Sequence, residues 1–249
     1  MKLANHHQMN GKKIIVHQPY YLAYPGFFHK LSLGDIFVIM DDAQYDKRFT
    51  NRNRIITDND WMWITVPINK KHKFHLNMEV EINNEINWKD LHWKKIVHSY
   101  KNAPFFRNYQ DFFENVYKKN WDLLFELDFE IIKKMIDWLE IKVEIIRESE
   151  LNVKTSSTQR IIDVCKKVGG DTYVSGIGGK NYLDEKLFEN NNLKLEYQNY
   201  HHPTYPQRMS QEFIPDLSTI DMMFNIGPDS SKLIKAILKK YTTSPSMEV

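Results

Sequence analysis

Apolar positions along this chain fall into short β-type runs separated by helical stretches. Residues 13–17 (KIIVH) and 35–40 (DIFVIM) are brief and apolar on both faces, as buried parallel strands are. Between them Phe27, Phe28 and Leu31 recur at helical spacing after Pro25-Gly26, and Gly34 supplies a stop. This pattern predicts a strand–helix–strand unit. Residues 61–68 read as a third strand ended near Pro67, and residues 78–82 as a short fourth. Trp88, Leu91, His92 and Ile96 then set a helical period, broken at Ala103-Pro104. Two more helices follow at 105–118 and 121–138, with Leu123, Leu127, Ile131 and Met135 on one face. A helical subdomain is therefore expected at about 88–140. Strands at 142–146, 172–174 and 193–197 alternate with helices at 155–168 and 182–190. An irregular arm, 201–215, leads into closing helices at 217–226 and 230–241. The alternation predicts an α/β fold with a mainly parallel sheet, one domain over 11–249 behind a flexible tail, 1–10.

Composition narrows the classes. The 249 residues are 42% hydrophobic and 27% charged, an ordinary globular balance. A net charge of +2 argues against a general nucleic-acid binder. One cysteine, Cys165, excludes an internal disulfide framework and sits in a helical apolar pattern. No signal-peptide pattern and no run of about 20 apolar residues is present, so a cytoplasmic protein without membrane insertion is expected.

Chemistry-bearing residues collect at the predicted strand ends, where open parallel sheets bind ligands. His17, followed by Gln18 and Pro19, suits a general base on an attacking amine or a donor to a phosphate. Asp41 and Asp42 close the second strand. Their ordinary use is turn capping, while a functional carboxylate there would orient His17, hold a divalent ion with a phosphate, or accept an ammonium. Only one can face a given site unless the backbone turns. The loop from 42 to 60 carries Gln44, Lys47, Arg48, Asn51, Arg52, Asn53 and Arg54. A charge run is usually a solvated face, but interleaved amides and arginine forks suit a diphosphate or a carboxylate. Ser175, Gly176, Gly178 and Gly179 lie between a strand and a helix, either as a tight turn or as an anion-binding loop, with Lys180 and Tyr182 beyond. His201-His202 lacks the company of a zinc set, so no metal site is expected and the pair reads as a loop lending one imidazole. Tyr20 and Tyr182 offer rings for a base or sugar. One cleft is expected to unite His17, an aspartate of the pair, Asn51, Arg52, Arg54 and the glycine loop.

Five segments, HQPYYLAYPGFFHKL, DDAQY, TNRNRI, DTYVSGIGGKNYLDE and HHPTYPQ, occur in this order. On them the chain resembles the WbqC-like protein family, over about residues 13–231. Where the family usually has proline and tryptophan, this chain has Ala23 and Tyr24, in the turn before Pro25-Gly26. The resemblance implies a role in bacterial surface-polysaccharide (O-antigen) biosynthesis. It implies a transferase that attaches glycine or another amino acid to an amino sugar. A nucleotide-linked sugar is the expected acceptor, and a free amino acid as donor would need ATP, with Mg²⁺ on its phosphates. The sheet is expected to be Rossmann-like, with the opening order strand–His–helix–strand–Asp analogous to nucleotidyltransferase-like folds. Two rival functions are a nucleotidyltransferase or acid-activating enzyme, and a non-catalytic sugar-nucleotide-binding module.

Overall fold

The computed structural model describes residues 11–69 and 75–239; the amino-terminal tail, most of the basic turn at 69–75 and Tyr241 lie outside them. Five strands form one parallel sheet: β1 (Lys13–His17), β2 (Ile36–Ile39), β5 (Glu144–Arg147), β6 (Thr172–Ser175) and β7 (Lys194–Tyr197). Their spatial order is β5-β2-β1-β6-β7. The chain thus winds outward from β1 on one side, then returns to wind outward on the other. That reversal, between β1 and β6, is the position at which doubly wound sheets bind ligands.

Side chains alternate across the sheet as the pleat requires. Ile15, Phe37, Ile39 and Val174 join one apolar cluster; Ile14, Val16, Ile36, Val38 and Tyr173 join another on the opposite face. The first face is covered by α1 (Pro25–Leu31), α7 (Thr219–Ile226) and α8 (Asp229–Lys239), and its cluster runs on into α2 (Trp88–Tyr100), α3 (Phe106–Lys118) and α4 (Leu124–Trp138). The second is covered by α5 (Ser157–Lys167) and α6 (Glu185–Asn190). Gly170 shows how closely β1 is packed, since a Cβ there would stand 2.1 Å from the Ile14 side chain. Among the described residues no helix is long and apolar enough to cross a membrane.

Three expected elements are corrected. The loop read at 42–60 contains a strand, β3 (Arg52–Thr57), paired antiparallel with β4 (Asp60–Thr65) in a separate two-stranded hairpin. Asn59 takes the left-handed turn position, φ +58°, which asparagine tolerates. Residues 61–68 hold the expected strand, as β4, but it lies in this hairpin and outside the parallel sheet. Residues 78–82 form no strand but a 3₁₀ turn, Asn77–Glu79, followed by isolated bridges at Glu81 and Ile82. Asn77 explains the turn, because its side-chain amide donates to the Met40 carbonyl at 2.8 Å and holds the segment across the end of β2.

The helical region hides a polar core. The Tyr21 hydroxyl meets that of Tyr117 at 2.5 Å and His92 Nδ1 at 2.9 Å. Near them Asp128 on α4 is fully buried, and neither carboxyl oxygen has a hydrogen-bond partner among the described residues. Burial raises its pKa well above the usual carboxylate value. A folded-state pKa raised this way contributes stability below the unfolded value of about 3.9 and loses it as pH climbs toward the folded value. Asp128→Asn is thus expected to match the parent's melting temperature near pH 4 and to exceed it increasingly toward pH 8. Parallel melting curves across that range would refute a neutral buried acid.

Candidate active site

The carboxyl end of β1 is where the chain departs most from routine packing. Pairing between β1 and β6 stops at Ile14–Tyr173, whereas β1 and β2 stay paired as far as His17–Ile39. The strands on either side of the switch therefore part toward their carboxyl ends. Carrying the β1–β6 register forward sets His17 level with Gly176.

His17 projects onto the α1 face. Its ring meets Tyr20 edge-on at 4.7 Å and Phe27 at 5.1 Å between centroids. Nδ1–H donates to the Gln18 carbonyl at 2.8 Å, which leaves the lone pair on Nε2. Burial, then the nearby Lys30 ammonium, pulls its pKa down to about 3, so the imidazole is neutral at pH 7. Beside it, Gln18 Oε1 is enclosed without a partner among the described residues. One strand end thus offers two unused acceptors.

The turn that follows is held from two directions. Leu22 sits at φ +46°, an uncommon conformation for a bulky residue. The Asn53 amide donates to the carbonyls of Leu22 (2.9 Å) and Tyr21 (3.3 Å). From the other side, the Thr219 amide and hydroxyl both donate to the Ala23 carbonyl, at 3.0 and 2.8 Å. Ala23 is fully buried there.

Across the switch, β6 delivers Ser175, whose hydroxyl donates to the Gly176 carbonyl at 3.0 Å. Residues Ile177–Asn181 form a 3₁₀ turn rather than the start of a longer helix, and α6 begins only at Glu185, capped by Asp184. The glycines differ in purpose. A Cβ on Gly179 would stand 2.1 Å from Ser175 Oγ and 2.9 Å from Leu183, whereas one on Gly178 meets nothing within 4 Å. Neither has positive φ. Gly179→Val is therefore expected to cost about 1–3 kcal/mol by overpacking. Gly178→Val is expected to stay within about 0.5 kcal/mol of the parent while weakening ligand binding, read by paired thermal and binding titrations. Equal loss of stability in both would make the segment a plain tight turn.

Tyr182 is 72% exposed, and Tyr20, Arg48 and Tyr182 lie within electrostatic reach of one another. The glycine turn and the basic loop therefore face each other over Tyr20, whose pKa burial lifts to about 12. Arg48 itself pairs with Asp46 at 2.5 Å on the surface. Gln44 bridges to Leu76, and both Gln44 and Lys47 are exposed on this loop.

The other expected members go elsewhere. Asp41 is fully buried and saturated: Arg147 Nε (2.8 Å), the Ser149 hydroxyl (2.6 Å) and the Ser149 amide (2.9 Å) all donate to it. Asp42 turns to the opposite face and meets Arg160 at 3.5 Å, itself held by Glu148 at 2.6 Å. Asp41 serves the β5 end of the sheet, and Asp42 is tied to α5. The Asn51 amide is used on the Val66 carbonyl at 2.8 Å. Arg52 lies over Trp63 (4.5 Å), and Arg54 lies over Trp61 (5.0 Å) while donating to the Asp216 carbonyl at 2.8 Å. Asp41, Asp42, Asn51, Arg52 and Arg54, expected in one pocket, each have a partner within the chain. A ladder of rings, His17–Tyr20–Phe49–Trp63, connects the two places instead. His202 packs among Tyr200, Tyr205 and Phe213, its Nδ1–H on the Pro203 carbonyl and its pKa lowered by burial; His201 is exposed. Among the described residues no group of three or more His, Cys, Asp or Glu is placed to hold a metal ion.

Sequence reasoning passed over Lys30. It stands three residues after Phe27, hence on the same helix face, and is 5% exposed. That spacing was the available signal; a lysine in a helix reads by default as solvated.

The family model described as the WbqC-like protein family matches residues 18–233. The chain belongs to the WbqC-like protein family. A relative in Mycobacterium tuberculosis, "Uncharacterized protein Rv1507c", is 26% identical over 226 residues, covering 90% of this chain and 98% of the relative. No solved structure matches the chain. The matched span holds every element from α1 to α7, while β1 and His17 stand just before it.

Proposed function

We propose that this WbqC-like protein transfers an aminoacyl, glycyl-type group to the amine of an amino sugar, carried as a nucleotide sugar, for bacterial surface-polysaccharide (O-antigen) biosynthesis. The observation that carries this is the end of β1, where a neutral His17 with its lone pair on Nε2 stands beside the unbonded Gln18 Oε1. Two acceptors suit an attacking amine, which must be held by its N–H groups and relieved of a proton as the amide forms. Tyr20 and Tyr182 flank the opening and suit a sugar or base. Where the donor is a free amino acid, ATP is the activating cosubstrate. Asp41 and Asp42 do not fit as Mg²⁺ ligands, since arginines already hold both.

Mass spectrometry after incubation with amino-sugar nucleotides, amino acids and ATP tests the proposal. A product heavier by one aminoacyl residue is expected. Pyrophosphate released from ATP and a carboxylic acid alone would favour an acid-activating nucleotidyltransferase. Tight binding of an unchanged nucleotide sugar would favour a binding module.

A further inference from the structure

Lys30 is the one lysine buried on the α1 face beside the crevice, and it is the least explained charge in the described residues. Among these, no carboxylate pairs with it and no hydrogen bond holds its ammonium, although 95% of the residue is covered. Every other buried or half-buried charge around the strand ends is matched: Asp41 by Arg147, Asp42 and Glu148 by Arg160. Covering the stem costs its side chain conformational freedom that a surface lysine keeps. Helical side chains lean toward the amino end of their helix. For α1 that end is Pro25, in the turn just after His17, so the lysine stem runs toward the carboxyl end of β1. Its ammonium lies within electrostatic reach of His17, and burial alone lowers its pKa to about 7.

We infer that Lys30 is the anion-binding group of the crevice, and that its missing partner is a phosphoryl group of the substrate. Resting on the sugar-nucleotide reading above, this names the residue that grips the phosphate. A single ammonium suits a phosphoryl oxygen as a point charge. The arginines within reach of the strand ends are already engaged: Arg147 and Arg160 on carboxylates, Arg48 on Asp46. Gly176 and Gly178 leave the opposite wall open, since a Cβ on either meets nothing closer than 4.0 Å.

The test uses the full chain with Lys30→Met and Lys30→Arg, titrated separately with inorganic pyrophosphate and with glycine, by calorimetry and thermal shift. Lys30→Met keeps the stem and removes the buried charge, so it is expected to fold and to melt at or above the parent temperature. Pyrophosphate should stabilise the parent. Its affinity should fall roughly ten-fold or more in Lys30→Met, as for loss of a charge-assisted hydrogen bond, and recover in part in Lys30→Arg. Pyrophosphate binding in Lys30→Met within two-fold of the parent would overturn the inference, as would a parent that does not bind it. A Lys30-dependent response to glycine alone would overturn it too, by making the anion a carboxylate. These readouts need no turnover. Lys30-dependent pyrophosphate binding without any transfer product would sink only the proposed reaction, and a transfer reaction indifferent to Lys30 would sink only the phosphate grip.

Discussion

Asp41→Ala is expected to lower stability by about 3 kcal/mol, a drop of roughly 6–12 °C in melting temperature for a chain of this size. The carboxylate is fully buried and accepts three hydrogen bonds, from Arg147 Nε and from the amide and hydroxyl of Ser149. Removing it strands a guanidinium and two polar groups of the β5 end. The lower part of the range for broken buried pairs applies, because the Arg147 side chain keeps 32% exposure and retains Phe125 (4.6 Å) and Glu126 (3.6 Å) as neighbours. Asp41→Asn should lose less, since it preserves shape and one acceptor. Urea and thermal unfolding decide the matter. A variant that melts like the parent but has lost all transfer would return Asp41 to the chemistry.

His17→Gln is expected to show the opposite signature. On the proposed reaction it loses about 100- to 10,000-fold in turnover, the usual worth of a positioned general base. KM should move much less, because the imidazole is assigned to the proton and not to the grip. Stability should change little, because the one hydrogen bond of the ring runs to the neighbouring Gln18 carbonyl. Full activity in a folded His17→Gln protein would remove the base from the mechanism. A large fall in melting temperature would make His17 a turn residue.

How much of this was legible follows from the kind of signal each part sends. The parallel strands announce themselves as apolar on both faces, and the glycines at 34 and 170 mark where helices meet them closely. The β3–β4 hairpin sends no such signal. Its residues Arg52, Asn53 and Arg54 look like a solvated loop, yet Asn53 spends its amide on two carbonyls and the arginines lie over Trp61 and Trp63. At the site, His17, Gln18 and the glycine segment could be placed because strand ends are chemical addresses. Asp41 could not be excluded, since its partners Arg147 and Ser149 are more than a hundred residues away. Lys30 was hidden by the opposite error: its charge suggested water, and only its period with Phe27 revealed the face it occupies.

The clamp on the Ala23 carbonyl has a consequence for how the protein is made. Its donor, Thr219, is synthesised 196 residues later. At about 5–20 residues per second, the turn after β1 waits roughly 10–40 s for that contact. For most of that interval β1 also lacks β6 (Thr172–Ser175), its partner on the other side. The nascent chain therefore carries an apolar strand with one open edge until Ser175 of the 249 residues has been made. That is an opportunity for wrong pairing that a chaperone shielding the first forty residues would close.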